Sequence, residues 1–77
     1  MFIRDKHNTV ENTVREARTS LNLTQEELAV QADATRQTII SIEKGNYVPS
    51  VLLALKISAV LGRRVDDLFK IENHEKI

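Results

Sequence analysis

The sequence predicts an all-α domain of five short helices, on three observations. Apolar residues recur at three- and four-residue spacing along most of the 77-residue chain. Gly and Pro are confined to Gly45, Gly62 and Pro49, and each falls between two such stretches. Asn8, Thr24, Thr35 and Ser50 each stand just ahead of a stretch, where a helix start needs a side-chain acceptor.

The first helix is expected from Val10, Val14, Ala17 and Leu21, which share one face, with Asn8 and Glu11 at its start and Asn22 at its end. Thr24-Gln25-Glu26-Glu27 forms a capping box, in which Thr24 accepts from the Glu27 N–H and Glu27 returns to the Thr24 N–H. Leu28, Ala29 and Ala32 give this second helix, about residues 25–32, its buried stripe. Asp33-Ala34 breaks the chain, and Thr35 caps a third helix over about residues 36–44 that buries Ile39 and Ile42. Gly45 ends it in the left-handed conformation. After the Asn46-Tyr47-Val48-Pro49 loop, Ser50 caps a fourth helix from Val51 to Leu61, closed by Gly62. A fifth covers about Val65 to Phe69, and a polar tail follows from Lys70 to Ile77.

The second and third helices meet the demands of a helix-turn-helix together. The crossing needs a small side chain, supplied by Ala29, and the turn four residues later needs positive φ, which Asp33 tolerates. The second helix of the pair must bury branched apolar residues against the first, and Ile39 and Ile42 do so.

Composition bounds the function. The chain is one domain over residues 1–77, with a core expected over 9–69 and flexible or dimer-linked ends at 1–8 and 70–77. There is no cysteine, so no disulfide or thiolate metal site contributes, which fits a reducing compartment. His7 and His74 lie near opposite ends and read as solvated, so neither a metal nor a cofactor is expected. The longest apolar run, Val51 to Leu55, is far short of the ~18 residues of a membrane span. No secretory signal follows Met1, so a soluble, cytoplasmic, nucleoid-associated protein is expected. No nucleophile is paired with a base: Ser20, the nearest candidate, has no His or Cys near it in sequence, so an enzyme is not expected. Net charge is zero, with eleven basic and eleven acidic residues, which argues against indiscriminate polyanion binding. The acids Asp66, Asp67, Glu72 and Glu75 gather toward the C-terminus, whereas Glu43 is the lone acid between Arg36 and Lys44.

Leu23-Thr24-Gln25-Glu26-Glu27-Leu28-Ala29, Arg36-Gln37-Thr38-Ile39, Ile42-Glu43-Lys44-Gly45, Pro49-Ser50 and Val65-Asp66-Asp67-Leu68-Phe69 together resemble the XRE family, the phage-repressor and Cro-like regulators. The resemblance covers about Val14 to Phe69 and is nearest to small stand-alone bacterial members. It implies a compact five-helix repressor-like fold and double-stranded DNA as partner. Three positions depart from the family pattern: Asp33 stands for a frequent turn Gly, Arg64 for a Ser cap, and Ile40 for a small polar residue.

On a helical wheel, Gln37, Ser41 and Lys44 point away from Ile39 and Ile42, with Arg36 and Ile40 on the flanks. This face enters the major groove in helix-turn-helix docking. Arg36 suits guanine, Gln37 suits adenine, Ser41 pairs either way and Ile40 suits a thymine methyl. A solvated helix face is the alternative reading of the same residues. Gln25, Lys44, Asn46, Tyr47 and Ser50 are candidate phosphate contacts, although Tyr47 also suits a lid on the core and Ser50 a cap. The resemblance implies an ion pair between Arg18 and Glu43 that aims Arg18 at the DNA backbone.

The resemblance also implies a homodimer on a palindromic operator, since one domain covers a half-site. Leu52, Val60, Val65, Leu68 and Phe69 offer more apolar surface than one small core hides and are the expected seam. Phe2-Ile3 and Phe69-Lys70-Ile71 read as extended, and the resemblance implies that the two ends can pair as a short sheet. The function expected is a transcriptional regulator, a repressor. An antitoxin with a toxin partner, or a protein-interaction module of the same fold, is the alternative.

Overall fold

The computed structural model describes residues 8–73. The expectations at Phe2-Ile3, His7 and His74 lie outside the described residues. Strand β1 (Asn8–Asn12) leads into helices α1 (Val14–Ser20), α2 (Gln25–Gln31), α3 (Arg36–Glu43), α4 (Val51–Leu61) and α5 (Val65–Leu68), and strand β2 (Phe69–Asn73) ends the described chain.

Local capping explains where α2, α3 and α4 begin. Thr24 Oγ1 accepts from Glu27 N at 3.0 Å and Glu27 Oε1 accepts from Thr24 N at 2.8 Å, completing the capping box. Thr35 Oγ1 accepts from Thr38 N, and Ser50 Oγ from Leu53 N, both at 3.1 Å. Each such cap contributes about 1 kcal/mol. The turn between α2 and α3 is made by Asp33 at φ 61°, and Gly62 ends α4 at φ 67°. Ala34 N donates to Ala29 O at 2.8 Å, which ties the turn back onto α2.

One core holds the helices together. Val14, Ala17, Leu28, Ala29, Ala32, Ile39, Ile42, Ile57, Leu61 and Leu68 form it, with Leu23, Ala34, Leu53, Val60 and Phe69 packed around it. It contains no buried polar or charged residue among the described ones, so the core itself is held by apolar packing. Ala29 is buried at the α2–α3 crossing, where a larger side chain would force the helices apart.

The expected start of the first helix is corrected. Residues Asn8–Asn12 are a strand, antiparallel to β2, in register from Asn8 opposite Asn73 to Asn12 opposite Phe69. Thr9 and Val10 are β-branched and suit a strand, and the pairing bonds lie across more than fifty residues of sequence. Asn12 then resets the chain: its Oδ1 accepts from Val14 N at 3.1 Å, and its Nδ2 donates to Ile42 O at 2.9 Å. One side chain thereby fixes the start of α1 and joins it to the end of α3. Leu21 lies beyond α1 and is half exposed, so only Val14 and Ala17 of the expected face reach the core. The chain ends do pair, but through Asn8–Asn12, and β2 carries ordered backbone through residues expected to be a tail.

The ribbon is amphipathic by its register. Val10, Asn12, Phe69 and Ile71 alternate with Thr9, Glu11, Lys70 and Glu72, so apolar and charged residues take opposite faces.

Candidate nucleic-acid interface

Helix α3 separates its two sides sharply. Ile39 and Ile42 are completely buried, whereas Arg36 and Gln37 are exposed and Ser41 is partly exposed. The buried pair locks the rotation of the helix, so the direction of Arg36, Gln37 and Ser41 is set by packing rather than by their own contacts. Gln37, Thr38 and Ser41 line a shallow groove of about 240 Å³, closed on its far side by Asn46 and Tyr47. Two sequence-predicted base contacts and two predicted phosphate contacts therefore border one depression. Tyr47 is 46% exposed and is not among the residues packed on the core, so it is not a core lid. Ser50 caps α4 and borders a neighbouring depression with Tyr47, Thr35 and Thr38. Its hydroxyl, having accepted one hydrogen bond, keeps a proton to donate.

Ile40 stands on the other flank. It is partly buried, unlike Ile39 and Ile42, and walls a larger cleft between α1, α2 and α3. Arg15, Arg18, Gln25, Glu43 and Lys44 also line that cleft, whose volume is about 530 Å³. At its base, Arg18 Nε donates to Glu43 Oε2 at 2.7 Å and Arg18 Nη2 donates to Glu43 Oε1 at 3.1 Å. Arg18 Nη1 donates to the Leu23 carbonyl at 2.8 Å, and Gln25 Nε2 donates to Glu43 Oε1 at 3.2 Å. The two charged side chains are only 11% and 4% exposed. The hydrogen bond to Glu43 holds the Arg18 pKa above its ordinary value, against burial, which lowers it.

This geometry changes what Arg18 has to offer. Three of its five N–H groups are engaged within the protein, so two remain for any outside acceptor. Gln25 likewise keeps one of its two amide N–H groups, and its side chain is oriented by Glu43 rather than free. The pair joins α1 to the end of α3, and Gln25 adds the start of α2. Sequence alone does not assign Arg15, exposed at the cleft, because a lone surface arginine does not reveal which elements it faces. Its position one turn ahead of Arg18 is the available signal.

The five residues expected at a dimer seam differ in exposure. Leu68 is completely buried in the protomer's own core, so its side chain is unavailable to a second copy. Val60 and Phe69 also pack against that core. Leu52, of the expected seam, is 64% exposed, and further exposed apolar surface lies at Val51 (77%), Leu55 (54%) and Ile71 (73%). An apolar groove of about 310 Å³ runs between the start of α4 and the ribbon, lined by Val10, Val48, Val51, Leu55, Val65 and Ile71 among others. The loop residues Val48 and Pro49 place this groove directly after the loop that follows α3.

No group of three or more His, Cys, Asp and Glu placed to hold a metal occurs among the described residues. No helix among them is long and apolar enough to cross a membrane.

Known proteins agree with this architecture. Residues 14–68 match a family described as Helix-turn-helix. The chain is 52% identical over 60 residues to an uncharacterized HTH-type transcriptional regulator of Methanothermobacter thermautotrophicus, covering 77% of this chain and 87% of the relative. It is 44% identical over 63 residues to the uncharacterized HTH-type transcriptional regulator YgzD of Bacillus subtilis, covering 82% and 96%. Among solved structures, the restriction-modification controller protein C.AhdI of Aeromonas hydrophila superposes with a TM-score of 0.67 at 30% identity, over 70% of this chain and 82% of that one. The transcriptional regulator VanUg shares the fold, with a TM-score of 0.75 at 15% identity over 96% of this chain and 99% of that one. The buried and exposed sides of α3, the left-handed Asp33 turn and these matches agree: the chain belongs to the XRE-type helix-turn-helix family of transcriptional regulators.

Proposed function

We propose that this protein is a sequence-specific transcriptional repressor that binds a palindromic operator as a homodimer, with α3 in the major groove. The observation that carries this reading is the division of α3. Ile39 and Ile42 are sealed in the core, while Arg36 and Gln37 face outward with no side-chain partner among the described residues. Arg36 and Gln37 carry the donor patterns that match guanine and adenine edges, and Ser41 and Ile40 extend the same face. Lys44, Asn46, Tyr47 and Ser50 follow α3 closely in the chain and surround it as backbone contacts. Gln25, and Arg18 through its two remaining N–H groups, face the backbone on the other side.

The homodimer reading is supported by the apolar groove beside the ribbon. A seam of ordinary size buries roughly 800 Å² per partner, about one-seventh of the 5721 Å² of surface here. Ile71 and Val51, 73% and 77% exposed, line this groove and leave apolar surface for a self-complementary two-fold contact. Two-stranded ribbons are marginal alone in water, and a second copy would cover the apolar face that this one leaves open. Leu52 and Val65 remain part of the proposed seam, joined by Val51, Leu55 and Ile71.

Selection of binding sites from random duplexes tests the reading. A two-fold symmetric consensus is expected, with half-sites centred about one helical turn apart. Enrichment of no sequence over background would overturn it.

A further inference from the structure

Asn12, the last residue of β1, is a junction of three elements. Its Oδ1 accepts from Val14 N at 3.1 Å, and its Nδ2 donates to Ile42 O at 2.9 Å. The two bonds together fix the direction of the amide. Turned over, it would set its NH2 group against a donor and its oxygen against a carbonyl. The Ile42 carbonyl lies in the last turn of α3, where intrahelical donors run out. It accepts from Gly45 N at 2.9 Å, and Asn12 supplies its second hydrogen bond from thirty residues away. Thr13 anchors the same junction on α5: its N–H donates to Leu68 O at 2.9 Å and its hydroxyl to Asp67 O at 3.3 Å.

Asn12 also belongs to the ribbon. It stands opposite Phe69 in the register, on the same face as Val10 and Ile71. Val10, Phe69 and Ile71 line the apolar groove of the proposed seam. The end of α3 is therefore hydrogen-bonded to the strand whose apolar face would meet a second copy. Ile39 and Ile42 hold α3 to the core through apolar contacts, which have no preferred direction. The Asn12 bond has one. Ile42 and the exposed Arg36 and Gln37 lie near opposite ends of α3, so a tilt about the Ile42 end swings the Arg36 end relative to the ribbon. Across a two-fold seam, the same tilt alters how far apart the two α3 helices stand. We infer, resting on the homodimer reading above, that Asn12 is a positioning residue that fixes α3 to the ribbon and thereby sets the half-site spacing the dimer accepts. It does so without touching DNA.

The test measures binding of the whole chain to a single selected half-site and to paired half-sites at the best spacing and at one base pair less or more. One base pair shifts the half-sites by about 3.4 Å along the axis. Asn12→Ser and Asn12→Asp both keep an oxygen that can accept from Val14 N. Neither keeps the bond to Ile42 O, because Ser is too short to reach both partners and ionised Asp has no proton to donate. Thr13→Ala removes the neighbouring bond to Asp67 O, which does not involve α3, and is the comparison. Affinity for the single half-site, and dimerisation without DNA, should match the wild type in all three variants. The wild type should favour the best spacing over the other two. In both Asn12 variants that preference should shrink by about two- to tenfold, the worth of one hydrogen bond. Thr13→Ala should keep it. An unchanged preference in both Asn12 variants overturns the inference, as does a preference that shrinks as much in Thr13→Ala. A uniform loss on every duplex with a lowered melting temperature also overturns it, since that assigns Asn12 to the fold alone. A wild type that gains nothing from a second half-site at any spacing overturns the homodimer reading itself, and this inference with it. The two failures are told apart by whether the wild type or only the variants show them.

Discussion

Arg18 Nε lies 2.7 Å from Glu43 Oε2, and the two side chains, 25 residues apart, are almost excluded from solvent. The bidentate contact links α1 to the last residue of α3. Removing one member would leave the other partly buried and unpaired, at a cost of roughly 3–5 kcal/mol for a buried pair. Glu43→Ala should therefore lower Tm by more than 10 °C, at about 4–8 °C per kcal/mol for a domain of this size. The double variant Arg18→Met/Glu43→Leu should be more stable than Glu43→Ala alone, because no charge is stranded. Equal stability of Glu43→Ala and wild type in a thermal melt would remove the pair from the account.

Helix α5 begins without a side-chain cap, because Arg64 occupies the cap position and bonds Asp66 instead. Arg64→Ser should restore a cap contributing about 1 kcal/mol. It sacrifices only an exposed ion pair, which solvent screens. Net stabilisation is expected in urea melts at pH 7. The sign of the pH effect follows from Asp66, whose carboxyl the hydrogen bond from Arg64 holds below its ordinary pKa. The pair's contribution is present above the ordinary carboxylate range and is lost as pH falls through the lowered pKa. The advantage of Arg64→Ser should accordingly be larger in acid than at neutrality, and an advantage that shrinks on acidification would contradict it.

The proposed seam beside the ribbon separates association from folding. Ile71 is 73% exposed and Val51 77% exposed in the protomer. Ile71→Ser and Val51→Lys should therefore leave the fold of one chain intact and shift sedimentation from dimer to monomer. Leu68→Ala, by contrast, should destabilise the protomer by about 2–5 kcal/mol, since it opens a cavity in the core. A monomeric wild type, with and without DNA, would contradict the seam.

Much of this architecture is legible in the sequence because it is decided locally. Thr24 with Glu27, Thr35, Ser50 and Gly62 each act within four residues of themselves, and the helices start and stop where they stand. Asp33 is readable for the same reason, as a turn residue that tolerates positive φ. The ribbon is not local. Val10 keeps helical spacing with Val14, yet its partner is Ile71, and only the assembled core brings the two ends together. Leu68 illustrates a second limit. Sequence shows surplus apolar surface near the C-terminus but not which residues spend it in the protomer's own core. In the candidate interface, the outward direction of Arg36 and Gln37 follows from Ile39 and Ile42 by helical period alone. The role of Gln25 as a ligand of Glu43, and the presence of Arg15 in the same cleft, depend on how three helices cross.

Ile40 distinguishes readout from packing. It is partly buried and walls the cleft, whereas Ile39 and Ile42 are sealed. Ile40→Ser should lower Tm by only a few degrees and weaken discrimination at one T·A pair, through loss of a thymine-methyl contact. A large fall in Tm with an unaltered sequence profile would place Ile40 in the core instead.

The central claim is that α3 reads bases while the residues around it hold the backbone, and one comparison tests it most directly. Binding-site selection is performed in parallel on the wild type, Gln37→Ala and Lys44→Ala. Gln37→Ala should cost roughly 1–3 kcal/mol on the best site and relax the preference at one base position in each half-site. Lys44→Ala should weaken binding to all sequences about equally, flatten the salt slope by about one unit per protomer and leave the profile unchanged. A Gln37→Ala profile identical to the wild type, at undiminished affinity, would show that this face of α3 does not read DNA.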